Sequence, residues 1–426
     1  MESSGKTAPV SADRDVATIR RTMESLASEL LAMSKTFEPQ DGQLFSVEPE
    51  IIHKARAFIA VAQNTMNFAM ATTNTTIGTA VIRTLMKIGA LQAIPLPSGA
   101  TAQEVAEATG AQESLVERLL RNAVSVGFLI YDPRGAAYKH THLSMPWAQP
   151  QSLGPDMFSF AYDSCLAPLI LLPDWLQHNN SDCPSEPTGD NAGTHNPLTF
   201  RHGTEGKSVF ETLAQQPDTL AVFGRVLKAA ANLKPFTGIY PWERLTDSDP
   251  QRPLFVDIGG GPGHAIAAIL AAHPELPASG FVLQELPKVI DLAKQFLPAD
   301  VQLQSHDFFT LNPVKGAKVY HLRACLHDWS DEICVQMLKC VVLVMAQDSR
   351  LLIAECLLPS DPRNDVGGLM GFQDMAMMCL GGKERTKEGF ERIVKEAGLV
   401  VEKIWEGEGI GRFVVIECRL ADSDAS

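Results

Sequence analysis

The stretch Leu254–Gly263, reading L-F-V-D-I-G-G-G-P-G, constrains the chain most. A short apolar run carrying one acid, Asp257, meets a turn of glycines and one proline, and A-I-A-A-I-L-A-A then reads as a helix. Strand, tight glycine turn and helix open a nucleotide-binding α/β unit. Glycine lets main chain approach a ligand closely, and a helix N-terminus presents free N–H groups with a partial positive charge. Gly259, Gly261 and Gly263 give G-x-G-x-G, whereas a dinucleotide fingerprint would place its last glycine where His264 stands. Glu285 ends the next apolar run, F-V-L-Q-E, where a carboxylate suits the two hydroxyls of a ribose. An adenosine-containing ligand is expected, and these features alone leave NAD and S-adenosylmethionine both open.

At 426 residues the chain exceeds one compact core. We expect a disordered polar segment at 1–13, a helical, winged-helix-like dimerisation domain at 14–150, a helical pocket region at 151–250, and a cofactor-binding domain at 251–420. The net charge of −14 argues against non-specific nucleic-acid binding. The eight cysteines form no C-x-x-C pair, which fits reduced thiols in the cytoplasm and no metal set. The first residues have no apolar signal-peptide core, and no apolar run reaches the length of a membrane span.

From Asp15 to about Thr36, apolar residues recur at helical steps, giving an amphipathic helix able to pack on a partner subunit or on its own chain. Helices are expected at 51–72 and 76–90. Thr101 and Glu104 form a capping box before a short helix that Gly110 ends, and a second helix runs from Glu113 to Val126. A hairpin turning at Asp132–Gly135 completes a winged-helix pattern. Its second helix offers Glu113, Glu117, Arg118 and Arg121, which is no basic face for DNA. Residues 178–200, rich in Asn, Ser, Pro, Gly and Asp, read as a long loop. Helices follow at 208–215 and 217–231. From 253 onward strands at 254–258, 280–285, 301–305, 318–323 and 350–355 alternate with helices at 264–273, 287–296, 331–346 and 386–397. This is the pattern of a Rossmann-like, doubly wound α/β sheet. Strands at 399–406 and 412–418 close it as an antiparallel hairpin, unlike a dinucleotide-binding sheet, and favour S-adenosylmethionine.

His327 lies in H-L-R-A-C-L-H-D-W-S-D-E, at the carboxyl end of the fourth strand of that sheet. A neutral imidazole there can take a proton from a hydroxyl, and a carboxylate beside it, from Glu355 or Glu384, would set its tautomer. V-D-I-G-G-G-P-G-H, L-Q-E-L-P-K-V-I, H-D-F-F, L-H-D-W-S-D-E and G-G-K-E-R-T stand in this order. Together they resemble the S-adenosylmethionine-dependent O-methyltransferases of the plant caffeate and fungal secondary-metabolite type, over about residues 50–420.

The resemblance implies a class I methyltransferase domain and an intertwined homodimer whose N-terminal module helps close the partner's pocket. It implies that Gly259 and Gly261 contact the methionine part of the cofactor and that Glu285 holds the ribose hydroxyls. Asp307 and Phe308 flank the adenine. Arg323 falls where the family usually has a lysine near the cofactor. His327 matches the catalytic base, Glu355 and Glu384 the acids beside it, and Asp328 a residue placed to touch substrate. Glu285 is one methylene longer than the family's commoner Asp. The implied reaction displaces the methyl of S-adenosylmethionine onto an acceptor oxygen, phenolic by family analogy. A phenol and an ordinary histidine differ in acidity by roughly 5 kcal/mol, so proton loss is expected to be coupled to attack. The competing reading is a related enzyme that binds the cofactor but catalyses dehydration or a pericyclic cyclisation. A DNA-binding regulator and an NAD dehydrogenase are disfavoured by the charge balance and by His264 and the closing hairpin.

Overall fold

The computed structural model describes residues 16–36, 49–149, 153–186, 193–233, 237–245, 249, 252–365, 368–407 and 413–422. The segment expected to be disordered, 1–13, lies outside them. The chain divides into two compact units, Met1–Val81 and Ile82–Ser426.

In the first unit, helix Val16–Thr36 packs on helix Pro49–Ala62, and Lys54 pairs with Glu29 across them at 2.5 Å. No residue of Val16–Thr36 is buried. The next helix, Thr65–Lys87, starts earlier than expected. Asn64 Oδ1 accepts the Asn67 N–H at 2.8 Å, so the break falls at residues 63–64 rather than in T-T-N-T-T. The hydroxyls of Thr75, Thr76 and Thr79 donate to carbonyls four residues back, which accommodates the threonines inside the helix.

The second unit opens with the expected pattern. Thr101 and Glu104 form a reciprocal capping box on Ala102–Thr109, and Gly110 ends that helix in the left-handed region. Helix Glu113–Ser125 follows, then the antiparallel hairpin β1 (Leu129–Asp132) and β2 (Ala137–His140). Helix Leu153–Phe160 packs on Pro217–Leu233, tied by Arg225 to Asp156 at 2.6 Å.

The main sheet is built from β3 (Phe255–Ile258), β4 (Phe281–Glu285), β5 (Gln302–Ser305), β6 (Val319–Arg323), β7 (Arg350–Leu358), β8 (Arg385–Thr386), β9 (Leu399–Glu406) and β10 (Phe413–Leu420). Its order is β5-β4-β3-β6-β7-β10-β9, with short β8 beside β7. β3 to β7 pair in parallel, and β10 runs antiparallel to both β7 and β9. Side chains alternate across the sheet. Val256, Ile258, Leu351 and Ile353 enter one core with helices Asp331–Val342 and Lys387–Glu396. Phe255, Leu352 and Ala354 enter the other with Trp242 and helix His264–Ala272. The sheet is therefore doubly wound as expected, and β7 runs three residues further than the sequence pattern indicates. Strand order reverses between β3 and β6, where open α/β sheets receive ligands beyond the carboxyl ends of their strands.

Candidate active site

Two groups of residues meet at that reversal. The first begins where β3 ends. Gly259 has φ +65°, which favours glycine, and its N–H donates to the Gln284 carbonyl at 2.9 Å. At Gly260 a Cβ would lie 2.3 Å from Asp257 Oδ2, so only glycine fits against that carboxylate. Asp257 is buried and accepts or shares a proton with His321 Nδ1 at 2.8 Å, the two being direct partners in the β3–β6 register.

Glu285, at the end of β4, folds back on the turn. Its Oε1 accepts the Gly261 N–H at 3.2 Å and its Oε2 the Leu286 N–H at 2.6 Å. Burial raises its pKa against those N–H bonds, and Asp257 adds to the rise. Asp307 and Phe308 follow β5. The Phe308 ring lies 3.6 Å from where a Cβ on Gly259 would stand, and exposed Asp307 accepts the Phe309 N–H at 3.0 Å. The structure thus brings Gly259, Gly261, Glu285 and Phe308 together, with Asp307 at the rim. Arg323 ends β6 between the two groups, its guanidinium 5.7 Å from the Phe413 ring centre. Burial lowers its pKa, opposed by Asp257 and Glu355.

The second group surrounds His327. β6 leaves the sheet through Ala324, a non-glycine residue at φ +49°, a strained conformation that the adjacent contacts must hold. The N–H groups of Cys325 and Leu326 then both donate to Glu355 Oε1 on β7, each at 2.9 Å. The carbonyls of Leu326 and Trp329 accept from Arg385, at 2.8 and 2.6 Å, and the His327 carbonyl accepts from Lys383 N–H at 2.8 Å. The turn that carries the histidine is therefore clamped on both sides.

His327 Nδ1 lies 3.1 Å from Glu384 Oε1 and 3.6 Å from Glu355 Oε2, both acids being buried. Nε2 lies 3.7 Å from Asp328 Oδ1, on a half-exposed side chain. With Nδ1 facing carboxylates, which only accept, its proton is held there and Nε2 is the nitrogen left for an acceptor. Burial alone would depress the imidazole, but Glu355, Asp328 and Glu384 outweigh it and push its pKa up to about 10. The sequence motif by itself implies an imidazole that is neutral near pH 7. Three converging carboxylates instead stabilise the imidazolium there.

Several supporting residues are not marked as such by the sequence motifs. Gln373 Nε2 donates to Glu384 Oε1 at 2.6 Å, and Asp374 Oδ1 accepts the Glu384 N–H at 2.9 Å. A polar pair inside the apolar helix Leu369–Cys379 was the readable signal. Arg385 stands in the G-G-K-E-R-T motif. Ser185 carried no signal at all: it lies in the expected 178–200 loop, yet it is buried and donates to the Gly382 carbonyl at 2.5 Å. The same loop region supplies Glu186 to Lys383 and Asn196 Nδ2 to the Leu380 carbonyl at 3.3 Å. Asn196 also caps helix Pro197–His202, so the expected loop is four residues shorter at its end. Phe160, Phe210 and Phe223 cluster, with the Phe223 ring centre 5.5 Å from Phe160 and 6.0 Å from Phe210, and Phe210, Phe372 and Met375 are exposed.

A family profile described as an O-methyltransferase domain matches residues 190–400. The O-methyltransferase kntB of Aspergillus niger is 33% identical over 373 residues, which cover 85% of this chain and 86% of kntB. The solved structure of OxaC in complex with SAH and oxaline superposes with a TM-score of 0.77 at 27% identity, over 94% of this chain and 100% of OxaC. A solved pericyclic reaction enzyme superposes with a TM-score of 0.72 at 25% identity, over 94% of this chain and 100% of that one. The residues present here fit the family's cofactor: a glycine turn without side chains, a carboxylate folded onto it, and an aromatic ring over Gly259. The chain belongs to the S-adenosylmethionine-dependent O-methyltransferases of the fungal secondary-metabolite type.

Proposed function

We propose that the enzyme methylates a hydroxyl, phenolic by preference, of a small secondary metabolite, with His327 as the general base. The observation that carries this reading is His327 itself, with Nδ1 against Glu384 and Glu355 at the reversal of strand order, beside the glycine turn. Gly259, Gly261, Glu285, Asp307, Phe308 and Arg323 are assigned to the cofactor, and Asp328 to the acceptor. S-adenosylmethionine, when bound, supplies an electrophilic methyl on a sulfonium.

The chain's own residues handle the proton. Glu384 and Glu355 keep Nδ1 protonated and leave Nε2 facing the acceptor. A base with a pKa of about 10 takes a proton from a phenol of similar pKa at near-zero cost, unlike an ordinary histidine. The carboxylates therefore make the base strong at the expense of its free fraction at neutral pH.

Incubating the protein with S-adenosylmethionine and a panel of phenolic polyketides, followed by mass spectrometry, tests the assignment. S-adenosylhomocysteine and a product one methyl heavier are expected. Turnover of alcohols or amines but no phenol would overturn the phenolic assignment.

A second reading rests on the same imidazolium, which at neutral pH is a proton donor and suits dehydration or activation of a carbonyl ahead of a pericyclic step. The solved pericyclic enzyme of this fold supports it. Its signature in the same assay is an isomerised or dehydrated product with the cofactor unchanged.

For assembly we read a homodimer through the N-terminal helices. Met66, Phe68, Met70 and Ile77 are exposed on one helix of the first unit, more apolar surface than a lone helix normally leaves in water. Light scattering of the full chain, with Phe68→Glu expected to yield monomer, tests it. The free thiols of buried Cys165, Cys325, Cys334 and Cys379 support a reducing, cytoplasmic setting. Among the described residues no helix is long and apolar enough to cross a membrane.

A further inference from the structure

We propose that Gln373 is a positioning residue that limits how tightly Glu384 holds the proton on His327. The proposal rests on the reading of His327 as the base, and its test separates the two.

The geometry is a shared acceptor. Glu384 Oε1 receives Gln373 Nε2 at 2.6 Å and faces His327 Nδ1 at 3.1 Å. Because a carboxylate only accepts, the amide must turn its NH2 toward it. A donor on that oxygen stabilises the ionised carboxylate and draws off charge that would otherwise act on the imidazolium. Glu355 is restrained differently: its Oε1 is already occupied by the Cys325 and Leu326 N–H groups. On Glu384 Oε1 the donor is the side-chain amide of Gln373.

Gln373 and Asp374 are consecutive on helix Leu369–Cys379 and grip Glu384 at two points, carboxylate and main-chain N–H. Replacing Gln373 thus leaves the Asp374 contact to keep Glu384 in place.

The charged groups bearing on His327 come from each element around it. Asp328 comes from its own turn, Glu355 from β7, and Glu384 from the segment before β8. Asp374 stands behind Glu384. Lys383 and Arg385 flank Glu384 in sequence but direct their cations to Glu186 and Asp331. Gln373 is the neutral donor set among these acids, at the oxygen nearest Nδ1.

Removing the donor strengthens the hold on the Nδ1 proton, so His327 titrates at higher pH and less of it is free as base. Replacing it with a further acid moves the titration the same way and further. The experiment is a ring-labelled histidine NMR titration of the full-length protein, in wild type, Gln373→Leu and Gln373→Glu, with His327→Gln identifying the signal. We expect the His327 midpoint to rise by about 0.5–1 pH unit in Gln373→Leu and by more in Gln373→Glu. In the pH–rate profile the acid limb should move up by the same amount. The rate at pH 7 then falls roughly three- to tenfold, the gap to wild type narrows as pH rises toward the two midpoints, and the KM for S-adenosylmethionine is unchanged. A purely structural role would instead lower the rate by one factor at every pH. His327 midpoints equal in all three proteins would overturn the proposal. A midpoint that moves while the rate limb stays still would support the coupling and sink the base assignment.

Discussion

Between Gly259 and Phe308 the site is made largely of main chain and of residues that end neighbouring parallel strands. Around His327 it is made of side chains drawn from β7, the segment before β8 and helix Leu369–Cys379, backed by Ser185, Glu186 and Asn196. In the first half, a change of one side chain leaves the cradle standing, because Gly259 and Gly260 are positioned by the sheet. In the second half, the chemistry of one imidazole depends on who touches whom: Glu384 on Nδ1, Gln373 on Glu384, Lys383 N–H on the His327 carbonyl and Ser185 on Gly382. The difference teaches that cofactor affinity and proton handling should separate under mutation.

The sharpest way to break that separation is His327→Ala. A general base contributes about 10²–10⁴-fold, so kcat should fall by that range while cofactor affinity, measured by calorimetry, stays at the wild-type value. A joint loss would show that the two halves form one unit. Next in size, Glu285→Ala removes the carboxylate assigned to the ribose. A hydrogen bond involving a charged group is worth about 1.5–3 kcal/mol, so cofactor affinity should weaken on the order of 10–150-fold, with kcat at saturating cofactor little changed.

Glu384→Gln sharpens the second half. Three carboxylates push the His327 pKa up to about 10, and losing one must bring it down. A base is free only above its pKa. The acid limb of the pH–rate profile should therefore shift to lower pH, opposite in sign to Gln373→Leu, while the plateau rate falls about tenfold with the weaker base and looser tautomer. An upward shift would contradict the assignment of Glu384 as the acid on Nδ1. The smallest effect belongs to Ser185→Ala. It leaves the buried Gly382 carbonyl without that hydroxyl, a loss of about 1 kcal/mol, and kcat should drop roughly fivefold while cofactor affinity holds. Ser185→Thr, which keeps the hydroxyl, should recover most of it.

The readable part of the molecule is the part governed by local rules. The capping box at Thr101, Gly110 at a helix end, the hairpin after Leu129 and the alternating strands and helices from β3 onward were all open to inspection. Each depends on neighbours a few residues apart or on a simple hydrophobic period. The break at Asn64 was misplaced because threonine hydroxyls can bond back within a helix as readily as they can end one. The motif residues His327, Glu355 and Glu384 were legible as types, since an acid or histidine ending a strand of a parallel sheet faces the ligand crevice wherever the chain comes from.

Sequence alone determined which residues could do chemistry here and on which edge of the sheet they would stand. Strand polarity and alternation are properties of the chain itself. Tertiary structure decided the electrical surroundings of His327. Whether His327 rests as imidazole or imidazolium follows from the distances of three carboxylates and one amide contributed by separate elements. Such distances arise only when the Leu369–Cys379 helix and the Ser185 region close over the carboxyl ends of β6 and β7. Electrostatic strength falls with separation and rises with burial, and neither quantity is written in a linear order of residues.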